Sequence, residues 1–281
     1  ILQCYMVMGG IPFYLSLIDP RQSLVQNVDR LFFSHGGIMR GEFDELYNAL
    51  FSNAELYISV VKALAQHHDG MTRTEISKVI GANGGTLTRV LTNLERCDFI
   101  SRSQNFGCKT KDTIYRLMDF YTLFYYKFIA QDTSGDEQWW SHNFESRLVS
   151  TWQGLTFEIV CLMHTDCIKK ALGISGMATE VSSWRKVADD KQRGGQIDLV
   201  IKRADRIVHL CEMKFSKSEY RITDAYEQLL RQRMELFQSS TKTKLSLVIT
   251  FVTTYGVADG LHHSIVHSEV TMSQLFIRNV T

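Results

Sequence analysis

In the run Ile207-Val208-His209-Leu210-Cys211-Glu212-Met213-Lys214-Phe215, a carboxylate and an ammonium stand two residues apart among apolar neighbours. If the run is a strand, alternation puts Val208, Leu210, Glu212 and Lys214 on one face. Charged side chains are costly in a central strand unless they pair or hold a metal. Just upstream, Gln196 to Lys202 carries Asp198 on the face it shares with Val200 and Lys202. A hairpin through the three-residue loop Ala204-Asp205-Arg206 pairs Arg203 with Ile207 and sets Asp198 opposite Glu212, whereas a four-residue loop breaks that alignment. Two opposed carboxylates repel unless a divalent cation lies between them, and hard oxygen ligands suit Mg²⁺ or Mn²⁺. Lys214 could then position a water and balance charge on a phosphate. On spacing alone, Glu-x-Lys is also the pattern of an ordinary ion pair on a solvated face.

Two histidine and cysteine groupings carry less. Cys161, His164 and Cys167 recur every three residues, but on an apolar helix such residues pack as core more often than they bind zinc. His262, His263 and His267 lack partner ligands nearby in sequence.

The elements that position these residues follow from periodicity. Residues 1 to about 55 read as short helices, with Pro12 and Pro20 as breaks or first-turn residues and Gly36-Gly37 as a loop. Ala54 to Gln66 is an amphipathic helix. Thr72 caps a helix from Arg73 to Ile80, Gly81 to Gly85 turns, and Thr86 to Arg96 is a second helix, which is the helix-turn-helix order. Strands at Phe99 to Gln104 and Thr113 to Leu117, around Asn105-Phe106-Gly107, complete the wing of a winged helix. Phe120 to Ile129 is a helix leading into a polar linker, with a boundary near 140. From Trp139 to Leu172 the pattern is helical. Strands follow at Thr179 to Trp184, Gln196 to Lys202, Ile207 to Phe215 and Leu245 to Thr253, with a helix at Ile222 to Phe237 and a further strand at Val270 to Ile277. The fold class is therefore multi-domain α+β, ending in an α-β-β-β-α-β unit.

A winged helix inserts its second helix in the DNA major groove. Thr86, Thr88, Arg89, Thr92 and Asn93 are then groove-facing candidates, and Arg102, Lys109 and Lys111 contact phosphate from the wing. Met71 to Arg116 holds eight Lys or Arg against four Asp or Glu, a locally basic segment. Over the whole chain, 31 basic and 30 acidic residues leave +1, so affinity for nucleic acid must come from such local patches. Winged helices also dock proteins, and a protein partner is the alternative.

Gly195-Gln196-Ile197-Asp198-Leu199-Val200 followed by Cys211-Glu212-Met213-Lys214-Phe215 resembles the PD-(D/E)XK nuclease superfamily: an Asp, a gap, then Glu-x-Lys. Gln196-Ile197 stands where that pattern has a proline before the Asp. The resemblance implies a C-terminal restriction-endonuclease-like domain, with Glu158 on the first core helix as a further metal ligand and Gln228 on the helix after Lys214 as a site residue. It implies phosphodiester hydrolysis, a metal held by Asp198, Glu212 and Glu158 lowering the pKa of a bound water while Lys214 orients that water or stabilises developing charge.

Nearly the whole chain also resembles the C-terminal region of archaeal-type and bacteroidete ATPases of the AAA+/STAND group. Gly9-Gly10-Ile11-Pro12-Phe13-Tyr14-Leu15, the winged-helix segment and Tyr115-Arg116-Leu117-Met118-Asp119-Phe120-Tyr121 carry this likeness. It implies a helical lid-like segment (1–53), a winged helix (54–118), a helical linker (119–140) and a nuclease-like domain (141–281). ATP would bind only in an upstream module, because the chain has no G-x-x-x-x-G-K-[ST] loop; Gly81 to Thr86 lacks the lysine. The apolar start without an initiator methionine suits a piece of a longer protein.

The opening Ile1 to Leu17 is interrupted by Gly9-Gly10-Ile11-Pro12 and reads as a packed helix pair, with no signal peptide or membrane span. Six dispersed cysteines without a C-x-x-C unit suit reduced thiols in a prokaryotic cytoplasm. The leading expectation is the C-terminal part of an ATPase that binds DNA and cuts it with Mg²⁺ or Mn²⁺. The alternatives are a non-catalytic regulatory module that binds DNA or protein, and a transcriptional regulator with an inert C-terminal domain.

Overall fold

The computed structural model describes residues 1–108, 113–188 and 194–276. They form a mixed α+β chain with a three-stranded and a five-stranded sheet. The chain divides into two compact units, one of Ile1–Arg102 and Ile114–Thr156, the other of Ser103–Thr113 and Phe157–Thr281.

In the first unit, α1 (Leu2–Met8) and α2 (Pro12–Ser16) are split by Gly9-Gly10-Ile11, with Pro12 in the first turn of α2, where its missing N–H costs nothing. Met6, Val7, Met8 and Tyr14 are buried, and no helix among the described residues is long and apolar enough to cross a membrane. Then come α3 (Leu24–Val28), a π-helical turn at Asp29–Phe33, α4 (Ile38–Leu50), α5 (Ala54–Ala65) and β1 (Met71–Thr72).

A reciprocal cap starts α6 (Arg73–Ile80): the Thr72 side chain accepts from the Glu75 N–H while Glu75 accepts from the Thr72 N–H. Gly81, at φ 68°, supplies the left-handed C-cap that releases the chain toward α7 (Gly84–Arg96). α7 buries Leu87, Val90, Leu91 and Leu94, the i, i+3, i+4, i+7 stripe of an amphipathic helix. β2 (Ile100–Ser103) and β3 (Ile114–Leu117) complete a small sheet in the order β1-β3-β2.

α8 (Phe120–Phe124) runs into a π-helical turn at Tyr125–Ile129. This segment, read from its sequence as the approach to a linker, is core. Phe124 and Phe128 pack on Trp140 of α9 (Trp139–Asn143) and on Trp152 of α10 (Arg147–Met163), with ring centroids 5.1 to 5.5 Å apart. Its aromatic density is thus a packing signal.

The second unit continues with α11 (Thr165–Ala171), β4 (Thr179–Lys186), β5 (Gly195–Arg203), β6 (Ile207–Lys214), α12 (Asp224–Thr241), β7 (Ser246–Thr253), β8 (Val266–Thr271) and α13 (Met272–Leu275). The sheet order is β4-β5-β6-β7-β8. β5 runs antiparallel to both β4 and β6, and α12 is the crossover from β6 to β7, which pairs parallel with β6 and β8. β6 therefore lies at the centre of the sheet. The last strand comes earlier than expected: Thr271 and Gln274 form a capping box that converts the chain to α13.

Residues from the β2–β3 connection belong to this unit and extend the β4 edge. Ser183 N–H donates to the Gln104 carbonyl at 3.0 Å, Phe106 N–H to the Ser183 carbonyl at 2.7 Å, and Asn105 exchanges side-chain bonds with the Arg185 backbone. Phe106 packs on Phe237 of α12, 4.9 Å between centroids.

His209, 1 % exposed on β6, has Nδ1 2.8 Å from the Thr250 hydroxyl. Burial pulls its pKa from 6.5 to about 4, helped by Arg203 and His267 and opposed by Asp205. The folded chain then binds fewer protons than the unfolded chain between those two values. This contribution is complete above pH 6.5, is lost as pH falls toward 4, and amounts to roughly 3 kcal/mol at most. The His209 ring should stay neutral by NMR at pH 5 while urea stability declines; a His209 signal titrating near 6.5 would contradict this.

Candidate functional site

The site is built on the β5–β6 hairpin. Leu199 pairs with Cys211, Val200 with Leu210, Ile201 with His209 and Lys202 with Val208. Continued by one residue, this register sets Asp198 beside Glu212, as the three-residue connection requires. Both then lie on the sheet face that carries Val200, Val208 and Leu210, which α12 covers with Leu230 and Phe237.

Glu212 is 9 % exposed, and three donors hold its carboxylate. Lys214 Nζ lies 2.8 Å from Oε1, Arg233 Nη1 donates to Oε2 at 2.5 Å, and the Tyr226 hydroxyl donates to Oε1. Burial raises the Tyr226 phenol far above its ordinary value, with the Glu212 charge and hydrogen bond adding to it, so it stays a protonated donor. At Lys214, burial works against the charged form, but the Glu212 charge and hydrogen bond, with Tyr220 and Glu158, more than offset it; the pKa is raised. Lys214 is therefore an ammonium at neutral pH, a counter-charge and not a base. Burial also pushes the thiols of Cys211 and Cys161 far up, which removes both as nucleophiles; none of the six cysteines is in a disulfide.

Of the residues singled out in the sequence, Glu158 on α10 is close enough to act on the Lys214 charge. Asp198 is half-buried and accepts from Gln196 Nε2 at 2.8 Å. Gln228 is not brought to Glu212: it is exposed and donates to Asp224 at 3.0 Å. Helical phase is the reason, since the sheet-facing stripe of α12 is Tyr226, Leu230, Arg233 and Phe237, and Gln228 lies about 200° from Tyr226. Tyr226 and Arg233 are the site residues that motif matching missed; their seven-residue spacing on the stripe of Leu230 and Phe237 was the available signal. A groove of about 510 Å³, lined by Gly194, Gly195, Gln196, Leu229 and Leu236, opens beside Arg233.

Asp198 and Glu212 are hard oxygen donors of the kind Mg²⁺ or Mn²⁺ prefers. However, both Glu212 oxygens already accept from cationic or phenolic donors. Among the described residues no three His, Cys, Asp or Glu side chains converge as a metal cluster, which covers Glu158 here and also Cys161, His164 and Cys167. In this arrangement Glu212 presents its oxygens to Lys214, Arg233 and Tyr226 and not to a divalent ion.

On the first unit, Thr86, Thr88 and Arg89 are exposed on α7, with Arg96 at its end. Thr92 and Asn93 are half-buried, and Asn93 donates to the Tyr57 hydroxyl at 2.8 Å. Thr88 accepts from Arg73 at 3.0 Å. Arg102 pairs with Glu95 at 2.8 Å, while Lys109 and Lys111 lie outside the described residues.

Compared with known proteins, the chain matches no family model and no curated relative.

Removing Arg233 leaves a buried carboxylate with one cation. Arg233→Met should destabilise the second unit by about 2 kcal/mol, and a double-mutant cycle with Glu212→Gln should return a coupling of about 1–3 kcal/mol. Additive single effects in urea titrations would show that the pair carries no coupling.

Proposed function

We propose that the chain binds duplex DNA through α7 and that its α/β unit is a nuclease-type fold acting as a binding and regulatory module. The observation that carries the first part is the exposed polar face of α7, where Thr86, Thr88 and Arg89 stand clear of the apolar stripe and Arg96 follows on the same side. The helix pair, its left-handed glycine turn and the following strands make the winged-helix reading the natural one. The locally basic segment supplies phosphate affinity, which counter-ion release makes salt-dependent. The clamp of Lys214, Arg233 and Tyr226 on Glu212 favours the non-hydrolytic reading of the second unit.

Fluorescence anisotropy with a labelled duplex tests this. Arg89→Ala should weaken binding about tenfold, the loss of roughly 1.4 kcal/mol, and Arg96→Ala should lower the salt dependence by about one phosphate contact. Unchanged affinity in both variants would move the function of α7 to a protein partner.

A second reading, phosphodiester hydrolysis, is favoured by the register that sets Asp198 beside Glu212 and by the resemblance of Asp198, Glu212 and Lys214 to nuclease motifs. Supercoiled DNA incubated with Mg²⁺ or Mn²⁺ discriminates the two. The binding-module reading expects no nicking by wild type; nicking abolished in both Asp198→Ala and Lys214→Ala would replace it with the hydrolase.

A further inference from the structure

We infer that the cleft between α5 and the π-helical turn Tyr125–Ile129 is a binding site for a small phosphorylated anion. Its volume is about 340 Å³, within the range of small-molecule sites. Lys62 of α5, Gln66 and His68 beyond its end, Tyr126 and Lys127 of the π-helical turn and Gln131 line it. Two ammoniums, an imidazole, a phenol and two amides thus face one cleft whose lining includes no carboxylate. Among the described residues none of these six side chains makes a hydrogen bond or an ion pair within the protein.

Lysines at helix C-termini ordinarily offset the helix dipole, and that is the competing account of Lys62. A helix end carries roughly half a negative charge, less than the ammonium placed on it, so the cleft keeps an excess of positive charge. Convergent ammonium, imidazole and amide donors suit a tetrahedral oxyanion, and the remaining volume admits the group esterified to it.

The electrostatics around His68 agree. Burial holds its imidazole below the ordinary 6.5; Lys127, Arg116 and His67 act in the same direction and Asp69 opposes them. Lys62 and the Tyr126 phenol complete the groups that face it. A bound dianion favours the imidazolium, so binding raises the His68 pKa and takes up a proton at that ring.

The test follows the His68 ring signal of the full chain by NMR, assigned with His68→Gln, during titration with inorganic phosphate, glycerol 3-phosphate and uncharged glycerol. A saturable shift is expected with both anions, near 1 mM or below, together with an upward move of the His68 pKa and no response to glycerol. Lys62→Met with Lys127→Met should weaken it at least tenfold while the melting temperature stays unchanged. Tighter binding of glycerol 3-phosphate assigns the site to a phosphate ester, and equal binding assigns it to the free ion. No saturable response, or the same response in the double variant, overturns the proposal.

Discussion

A negative charge in the middle of the sheet organises the second unit. Glu212 sits on β6, the central strand, with apolar residues on both sides in sequence, and an isolated carboxylate there would cost several kcal/mol. Everything around it answers that cost. Lys214 supplies a cation from the next position on the same face, and α12 is phased so that Arg233 and Tyr226 arrive from above while Leu230 and Phe237 close the apolar surface to either side. The crossover helix is thus located by hydrophobic burial and fixed in rotation by one carboxylate. Desolvation offsets much of the attraction in such a cluster, so it adds little net stability while the loss of one partner is costly.

Much of this arrangement is legible in the sequence. Strand periodicity, the Glu-x-Lys spacing and the short Ala204-Asp205-Arg206 connection lead directly to the register of β5 on β6. The Thr72 and Glu75 cap and Gly81 mark the ends of α6 for the same reason, because capping and left-handed turns are local and depend on residue type. What depends on contacts between distant residues is harder to read. Motif likeness pointed to Gln228, whereas the phase of α12 is set jointly by the apolar surface it covers and by Glu212, and it presents Tyr226 and Arg233. Likewise Phe120 to Ile129 is aromatic because it packs on Trp140 and Trp152, which sequence proximity to a polar stretch obscures.

The polar side chains fall into two populations. Asn93 is engaged by Tyr57 and Arg102 by Glu95, so residues that look free in the sequence are part of the fold. Thr86, Arg89 and Arg96 of α7, by contrast, stand exposed to water.

The chain passes between its two compact units three times, at Arg102–Ser103, Thr113–Ile114 and Thr156–Phe157. A cut at the last of these therefore frees neither unit intact. A fragment ending at Thr156 would carry the Gln104–Phe106 edge with no β4 to pair with, and one starting at Phe157 would expose the Phe237 ring that Phe106 covers. The side-chain bonds that join this edge to β4 span 80 residues of sequence, a separation that slows their formation. During synthesis the β2–β3 segment must wait for residues made much later, and one excursion of about ten residues makes the two units a single object for expression, truncation and folding.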